Sequence, residues 1–347
     1  MKILVTGGSG FIGSNFIINR LINSENKILN VDCLTYAGNP QNLKSIDKSK
    51  NYSFLNINIC DSKNILNAIL NFKPDSIVHF AAESHVDRSI DGPIKFIDTN
   101  IVGTARLLEA SYKYWSNYNK KFKFLHISTD EVFGSLGPKG YFDETSHYKP
   151  SSPYSASKAS SDHLVRAWFQ TYGLPTLITN CSNNYGPFQF PEKLIPLMIA
   201  NSLDEKQLPV YGKGLNIRDW LYVEDHCDAI ITVLKSGKIG ETYNIGGNNE
   251  IKNIDIVKAI CNSLDKLKPR KNGLSYKNLI SYVTDRPGHD FRYAINASKI
   301  NNELKWKPKE TFISGLNKTI KWYLKNEDWW REIQKNSYKQ DRLGLKK

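Results

Sequence analysis

Tyr154 and Lys158 stand four residues apart in the run Tyr154-Ser155-Ala156-Ser157-Lys158. On a helix that spacing puts a phenol and an ammonium on one face. A nearby ammonium stabilises tyrosinate and draws the phenol down from its ordinary pKa of about 10. Such a pair can take a proton from an alcohol as hydride leaves the same carbon. Earlier in the chain, His126-Ile127-Ser128-Thr129-Asp130-Glu131-Val132 closes an apolar run. Thr129 can hydrogen-bond the reacting oxygen. Asp130 and Glu131 are more acid than hydride transfer needs. They suit removal of water, one group taking a carbon-bound proton while the other protonates a leaving hydroxyl.

The start of the chain supplies a place for a redox cofactor. Gly7-Gly8-Ser9-Gly10-Phe11-Ile12-Gly13 lies between a strand-like run and a helical pattern. Gly7 permits a tight turn, Gly10 lets backbone reach a pyrophosphate, and Gly13 allows close helix–strand packing. The helix that follows presents free N–H groups and partial positive charge to phosphates. Asp32 ends the second strand-like run, at the distance where an acid grips the adenosine ribose. A carboxylate there repels a 2′-phosphate, so NAD is expected rather than NADP.

These residues need a parallel sheet to hold them. Expected strands are Lys2–Thr6, Lys27–Asp32, Ser53–Ile59, Ser76–Ala82, Phe122–Thr129 and Thr176–Cys181. Their nearly unbroken apolar character implies helices on both faces. Helical patterns fall near Gly10–Asn23, Ser62–Asn71, Pro93–Trp115 and Ser152–Tyr172. The fold class is therefore α/β, a doubly wound parallel sheet of Rossmann type. After about Asn183 the rhythm breaks. Prolines and glycines crowd Tyr185–Pro196 and Leu208–Leu215, and strand and helix signals return near Thr242–Gly247 and Ile254–Leu267. Residues 1–182 are read as the cofactor domain, rejoined by about 215–247. Residues 183–347 are read as a smaller, mainly substrate-binding part.

Composition narrows the class. Of 347 residues, 40% are hydrophobic and 23% charged, which is ordinary for a soluble globular protein. No apolar run approaches the ~20 residues of a membrane span. The first residues lead straight into a strand with no signal-peptide layout, so a cytoplasmic location is expected. Cys33, Cys60, Cys181, Cys227 and Cys261 show neither CxxC nor metal spacing, so reduced thiols and no metal are expected. The net charge of +13 is spread along the chain without a basic block. That fits steering of an anionic small substrate better than nucleic-acid binding.

Longer runs carry a resemblance. They include Phe80-Ala81-Ala82-Glu83-Ser84-His85-Val86-Asp87-Arg88-Ser89, the Thr129-Asp130-Glu131 triplet and Asn183-Asn184-Tyr185-Gly186-Pro187. Further along come Pro191-Glu192-Lys193-Leu194-Ile195-Pro196, Arg218-Asp219-Trp220, Asp285-Arg286-Pro287-Gly288-His289-Asp290 and Asn326-Glu327-Asp328-Trp329-Trp330. With these the chain resembles the extended short-chain dehydrogenase/reductase family over nearly its whole length, and within it the nucleotide-sugar 4,6-dehydratases. The resemblance implies NAD as a tightly held cofactor and dTDP-glucose as substrate. It assigns carbon-4 oxidation to Tyr154, Thr129 and Lys158, carbon-5 deprotonation to Glu131, and protonation of the departing carbon-6 hydroxyl to Asp130. The NAD site it implies comprises Gly7, Gly10, Phe11, Ile12, Gly13, Asp32, Cys33, Leu34, Thr35, Asn58, Ile59, Ala81, Ala82, Ser84, Thr99, Asn183, Tyr154 and Lys158. The substrate contacts it implies, besides the catalytic acids and Thr129, are Ser84, Asn184, Lys193, Leu194, Pro209, Tyr211, Arg218, Asn253, Asp285, Arg286 and His289.

Two positions depart from the family pattern. Phe133 stands where tyrosine is usual, and Asn58 where an aspartate often meets the adenine. An amide oxygen still accepts a bond from the adenine amine. The resemblance also implies a homodimer packed through Pro93–Trp115 and Ser152–Tyr172. Alternatives are a UDP-glucose 4,6-dehydratase, a related epimerase or decarboxylase, and a non-catalytic NAD-binding regulator. An epimerase has no chemical use for Asp130 and Glu131.

Overall fold

The computed structural model of the protein describes residues 1–22, 25–119, 121–285, 289–336 and 338. Seven parallel strands form the central sheet: β1 (Lys2–Thr6), β2 (Lys27–Asp32), β3 (Tyr52–Asn56), β4 (Ser76–His79), β5 (Lys123–Thr129), β6 (Thr176–Cys181) and, from late in the chain, Thr242–Ile245. Their spatial order runs from Thr242–Ile245 through β6, β5, β4 and β1 to β2 and β3. The order reverses between β1 and β4, and in an open α/β sheet the crevice at that reversal is where ligands bind.

Both faces are covered. Ile3, Val5, Val78, Leu125, Ile127 and Leu177 pack on one side with Phe16 and Ile17 of α1 (Phe11–Ile22). Leu4, Val31, Ile77, Phe124 and Ile178 face the other, against α2 (Ser62–Phe72) and the helices that follow. The doubly wound expectation is met.

The Pro93–Trp115 stretch is not one helix. After α3 (Val86–Asp91) come α4 (Pro93–Phe96), a π-helical segment Ile97–Gly103, and α5 (Thr104–Asn117). The widening has a local cause. Asn100 Nδ2 donates to the Glu83 carbonyl (3.0 Å) and to Ser157 Oγ (2.8 Å), while its Oδ1 accepts from the Glu83 amide (2.9 Å). Such turns recur at functional sites, and here Asp98 and Thr99 enter the cleft. Strands β3 and β4 also end earlier than expected, at Asn56 and His79. The residues left over, 57–60 and 80–84, line the cleft.

Helix α6 (Pro153–Tyr172) has both ends written in sequence. Ser152 and Ser155 form a reciprocal capping box, Pro153 occupies the first turn, and Gly173 ends the helix at φ 72°.

Beyond β6 the chain forms β7 (Asn183–Tyr185), α7 (Leu194–Leu203), β8 (Leu208–Tyr211), β9 (Ile217–Tyr222) and α8 (Val223–Ser236). Then β10 (Thr242–Ile245) returns to the main sheet, followed by β11 (Glu250–Lys252), α9 (Asn253–Leu267) and β12 (Ile280–Val283). Helices α10 (Ser298–Leu304), α11 (Phe312–Lys325) and α12 (Glu327–Asn336) close the described chain. A second core joins α7, α9, α11 and α12 around Ile199, Ile260, Ile320, Tyr323 and Trp330. The helices α8, α11 and α12 were not among those expected from sequence. No helix among the described residues is long and apolar enough to cross a membrane.

His126 and His226 are wholly buried, and burial pushes them down to about 4 and about 3. Their contribution to stability is present above the ordinary value of about 6.5 and lost as pH falls toward those folded values, because the unfolded chain binds protons that the folded one refuses. His226→Gln removes one such site, so thermal unfolding across that range should show a shallower pH slope. An unchanged slope would mean that His226 does not titrate on unfolding.

Candidate active site

A cleft of about 500 Å³ opens at the carboxyl ends of β1, β2, β4, β5 and β6. At its β1 end, Gly7 has φ 72°, and a Cβ there would stand 2.5 Å from the Ala81 amide nitrogen. A Cβ on Gly13 would stand 2.4 Å from the Gly7 carbonyl oxygen. Only glycine fits either place, and the backbone is left bare where α1 begins. The Asp32 carboxylate accepts from the Ser9 and Leu34 amides at 3.0 and 2.8 Å. Burial pushes its pKa up. Each oxygen keeps a further lone pair, so Asp32 both orders its turn and remains an acceptor facing the cleft.

Of the expected cofactor residues, all but Leu34 line this cleft. Leu34 serves through its backbone, in the left-handed region at φ 51° with its amide on Asp32. Asn58 accepts from the Cys60 amide at 2.9 Å, a turn built on its own side chain. The set fits a dinucleotide: a bare glycine turn at a helix start, an acid at the end of β2, and a long trough between them.

The other end of the cleft holds the reactive groups. Thr129, Glu131, Tyr154 and Lys158 line it. Thr129 ends β5 and caps a short 3₁₀ turn, Asp130–Phe133, by accepting from the Glu131 amide (3.3 Å). Asp130 is 1% exposed and lies behind the lining. Burial, then the charges of Glu131 and Asp219, push its carboxyl well above the usual range, while Arg218 pulls the other way. Its Oδ2 has no hydrogen-bond partner among the described residues. A buried carboxyl pushed up by its surroundings, beside a half-buried one at the cleft, makes two acids separated by environment.

The tyrosine expectation needs correction. The Tyr154 phenol lies well above its ordinary value, because burial dominates and Glu131 adds to it. The bond with Thr129 lowers it, without reversing the shift. The Lys158 ammonium donates instead to the Ile127 carbonyl at 2.9 Å, and burial brings it down to about 8.

Of the expected substrate contacts, Ser84, Asn184 and Lys193 line the cleft, Lys193 donating to the Ser84 carbonyl at 3.0 Å. Leu194, Pro209, Tyr211, Arg218, Asn253, Asp285 and His289 do not line it, and Arg286 lies outside the described residues. Arg218 is buried on β9, donating to the carbonyls of Ile217, Asp290 and Phe291 with its guanidinium 4.2 Å over the Tyr293 ring. Asp285 and His289 pair at 2.6 Å, and Tyr211 reaches Asp87 at 3.4 Å. Arg218 nevertheless acts on Asp130 through its charge, which links this group to the reactive end.

Several residues at the cleft were not singled out from sequence. Glu83 is 3% exposed and pairs with Lys95 at 2.9 Å. Arg88 pairs with Glu192 at 2.9 Å, its guanidinium 3.9 Å over Tyr36. The motif runs contained most of these residues, but nothing in them marked which acid was buried. No group of three or more His, Cys, Asp or Glu among the described residues is placed to hold a metal ion.

The chain belongs to the family described as GDP-mannose 4,6 dehydratase, whose model matches residues 4–319. Within that class it is 57% identical to dTDP-glucose 4,6-dehydratase 1 of Escherichia coli (strain K12), with 97% of each chain covered. A dTDP-glucose 4,6-dehydratase from Bacillus anthracis, solved in complex with NAD, matches with a TM-score of 0.86 and 50% identity, covering 96% of this chain and 99% of that one. The dTDP-glucose 4,6-dehydratase of Streptomyces venezuelae, solved with NAD and a second ligand, gives 0.89 and 42%, covering 96% and 100%.

Gly7→Ala places a methyl group against the 81 backbone in a left-handed conformation. It should lower unfolding stability by about 1–3 kcal/mol, read by thermal denaturation. A variant as stable as the parent would show that the turn relaxes freely.

Proposed function

We propose that this chain is an NAD-dependent dTDP-glucose 4,6-dehydratase. The observation that carries the reading is the acid pair at the end of β5, with Asp130 buried and its carboxyl pushed up while Glu131 faces the cleft. A neutral carboxyl can give a proton and a carboxylate can take one, and elimination of water needs both in one site. The relatives act in the same class and several share over half of the sequence.

Gly7, Gly10, Gly13, Asp32 and Thr99 would hold NAD, which supplies hydride acceptance at carbon 4 and return at carbon 6. Tyr154 exchanges a proton with the carbon-4 hydroxyl, with Thr129 bonded to the same oxygen. Lys158, one turn along the helix, provides positive charge behind the phenol. Once carbon 4 is a ketone, the carbon-5 hydrogen is acidic and Glu131 takes it as a proton. The carbon-5–carbon-6 double bond forms as the carbon-6 hydroxyl leaves, protonated by Asp130, as water. Lys193, Asn184 and Ser84, which line the cleft, would meet the sugar nucleotide there. Arg218 and His289 would take the nucleotide diphosphate, as the resemblance implies.

A homodimer fits this reading. Ile94, Ile97 and Val102 leave large apolar surface exposed along the α4–α5 stretch, and α4 packs beside α6. Five free thiols, three of them buried, suit a reducing cytoplasm. A monomer by light scattering would rule out the dimer.

The deciding experiment incubates purified protein, without added cofactor, with dTDP-glucose and separately with UDP-glucose, reading the 4-keto product by its absorbance in alkali. Product from dTDP-glucose alone is expected; none from either, even with NAD added, overturns the reading. Glu131→Gln should lower turnover by about 10²–10⁴-fold and stop solvent deuterium entering at carbon 5. Continued deuterium entry would remove Glu131 from the base role.

A further inference from the structure

Below the cleft, α6 carries a third inward polar side chain one turn beyond Lys158. Asp162 is 0% exposed, as is His126, and Lys158 is 4% exposed. An ammonium so deeply buried is costly unless charge is returned to it. The Asp162 carboxylate is fixed from three elements: Oδ2 accepts from Ser128 Oγ on β5 (2.9 Å), Tyr148 OH (2.8 Å) and Asn180 Nδ2 on β6 (3.2 Å). His126 Nε2 lies between the two charges, 3.3 Å from Lys158 Nζ and 3.3 Å from Asp162 Oδ1. The ammonium itself sits on the Ile127 carbonyl at the end of β5.

We propose that Asp162 is a positioning residue for Lys158, its anchored carboxylate acting past the His126 ring to keep the buried ammonium charged and seated on β5. The proposal deepens the dehydratase reading and rests on it for the catalytic use of Lys158. Other titratable groups around the ammonium do not take this part. On β6, burial pushes the Cys181 thiol up, and it stays neutral. On β5 and β4, burial pushes His126 and His79 down, and both stay neutral. On α6 itself, the Tyr154 phenol is held neutral, and Arg166, which also acts on the His126 ring, is a further positive charge. Burial pushes Asp162 up, while the His126 ring first, then the Lys158 charge and the Ser128 hydroxyl, pull it down, and the balance leaves it below the usual carboxylate value. Against the burial that lowers Lys158, Asp162 is the larger of the two groups that raise it, Cys181 being the smaller.

The test is the pH profile of kcat/KM for dTDP-glucose. The alkaline limb should follow Lys158, near about 8 in the parent chain. In Asp162→Asn it should move to lower pH by about 1–3 units, the effect of one nearby opposite charge. Asp162→Glu should restore most of the limb. A merely structural role would lower kcat without moving the limb, so a folded Asp162→Asn variant with an unmoved limb overturns the proposal. Thermal melting supplies a second arm: Lys158→Met/Asp162→Asn should be more stable than Asp162→Asn, since neither buried charge remains. Should Asp162→Asn not fold, the double variant is expected to do so; its failure, or equal instability, overturns the proposal. If the parent chain makes no 4-keto product, the dehydratase reading falls, while the melting comparison still decides the coupling.

Discussion

A single helix-on-sheet contact organises the reactive half of this protein. Helix α6 must lie close against β5 and β6, yet its inner stripe carries Tyr154, Lys158 and Asp162 where an ordinary packed helix would carry leucine. The contact survives because its polar atoms answer one another: hydroxyls of Ser128 and Tyr148, the Asn180 amide and the Ile127 carbonyl meet the carboxylate and the ammonium. Buried polar networks stabilise only when nearly complete. Here the bonds gather on Asp162 Oδ2 and Lys158 Nζ, while among the described residues Asp162 Oδ1, His126 Nδ1 and Asn180 Oδ1 keep no hydrogen-bond partner.

Solvent access then separates two neighbouring acids. Asp130 turns inward from the 3₁₀ step and loses water, while Glu131 faces the cleft. Consecutive residues in a short turn point in different directions, so adjacency in sequence becomes difference in environment. The same step is held by Thr129, whose side chain caps it. The residue proposed to meet the reacting oxygen thus also holds the turn that carries both acids.

Sequence made the sheet legible because parallel strands buried on both faces read as apolar runs, and β1, β2 and β6 were found at their observed bounds. The glycine turn was legible because steric necessity at Gly7 and Gly13 leaves no other residue type. The Pro93–Trp115 stretch misled because helical periodicity does not reveal a π turn, whose cause is Asn100 meeting a distant loop. The phenol's raised pKa was hidden for a related reason: spacing shows which groups share a helix face, not how much water each retains. The Asp162 network was invisible since its members come from separate strands and loops. The later helices were obscured by mixed polar content, as tertiary packing around Trp330 and Tyr323 organises them.

The bridge between Arg88, Glu192 and Tyr36 ties two segments that both border the trough, residues 35–38 and 189–193. A dinucleotide held in the trough would have that clasp along its rim. For chemistry that returns its borrowed electrons within each cycle, a clasped cofactor carries no penalty. Sugar conversion of that kind draws nothing from the balance of oxidised and reduced nicotinamide in the surrounding cell.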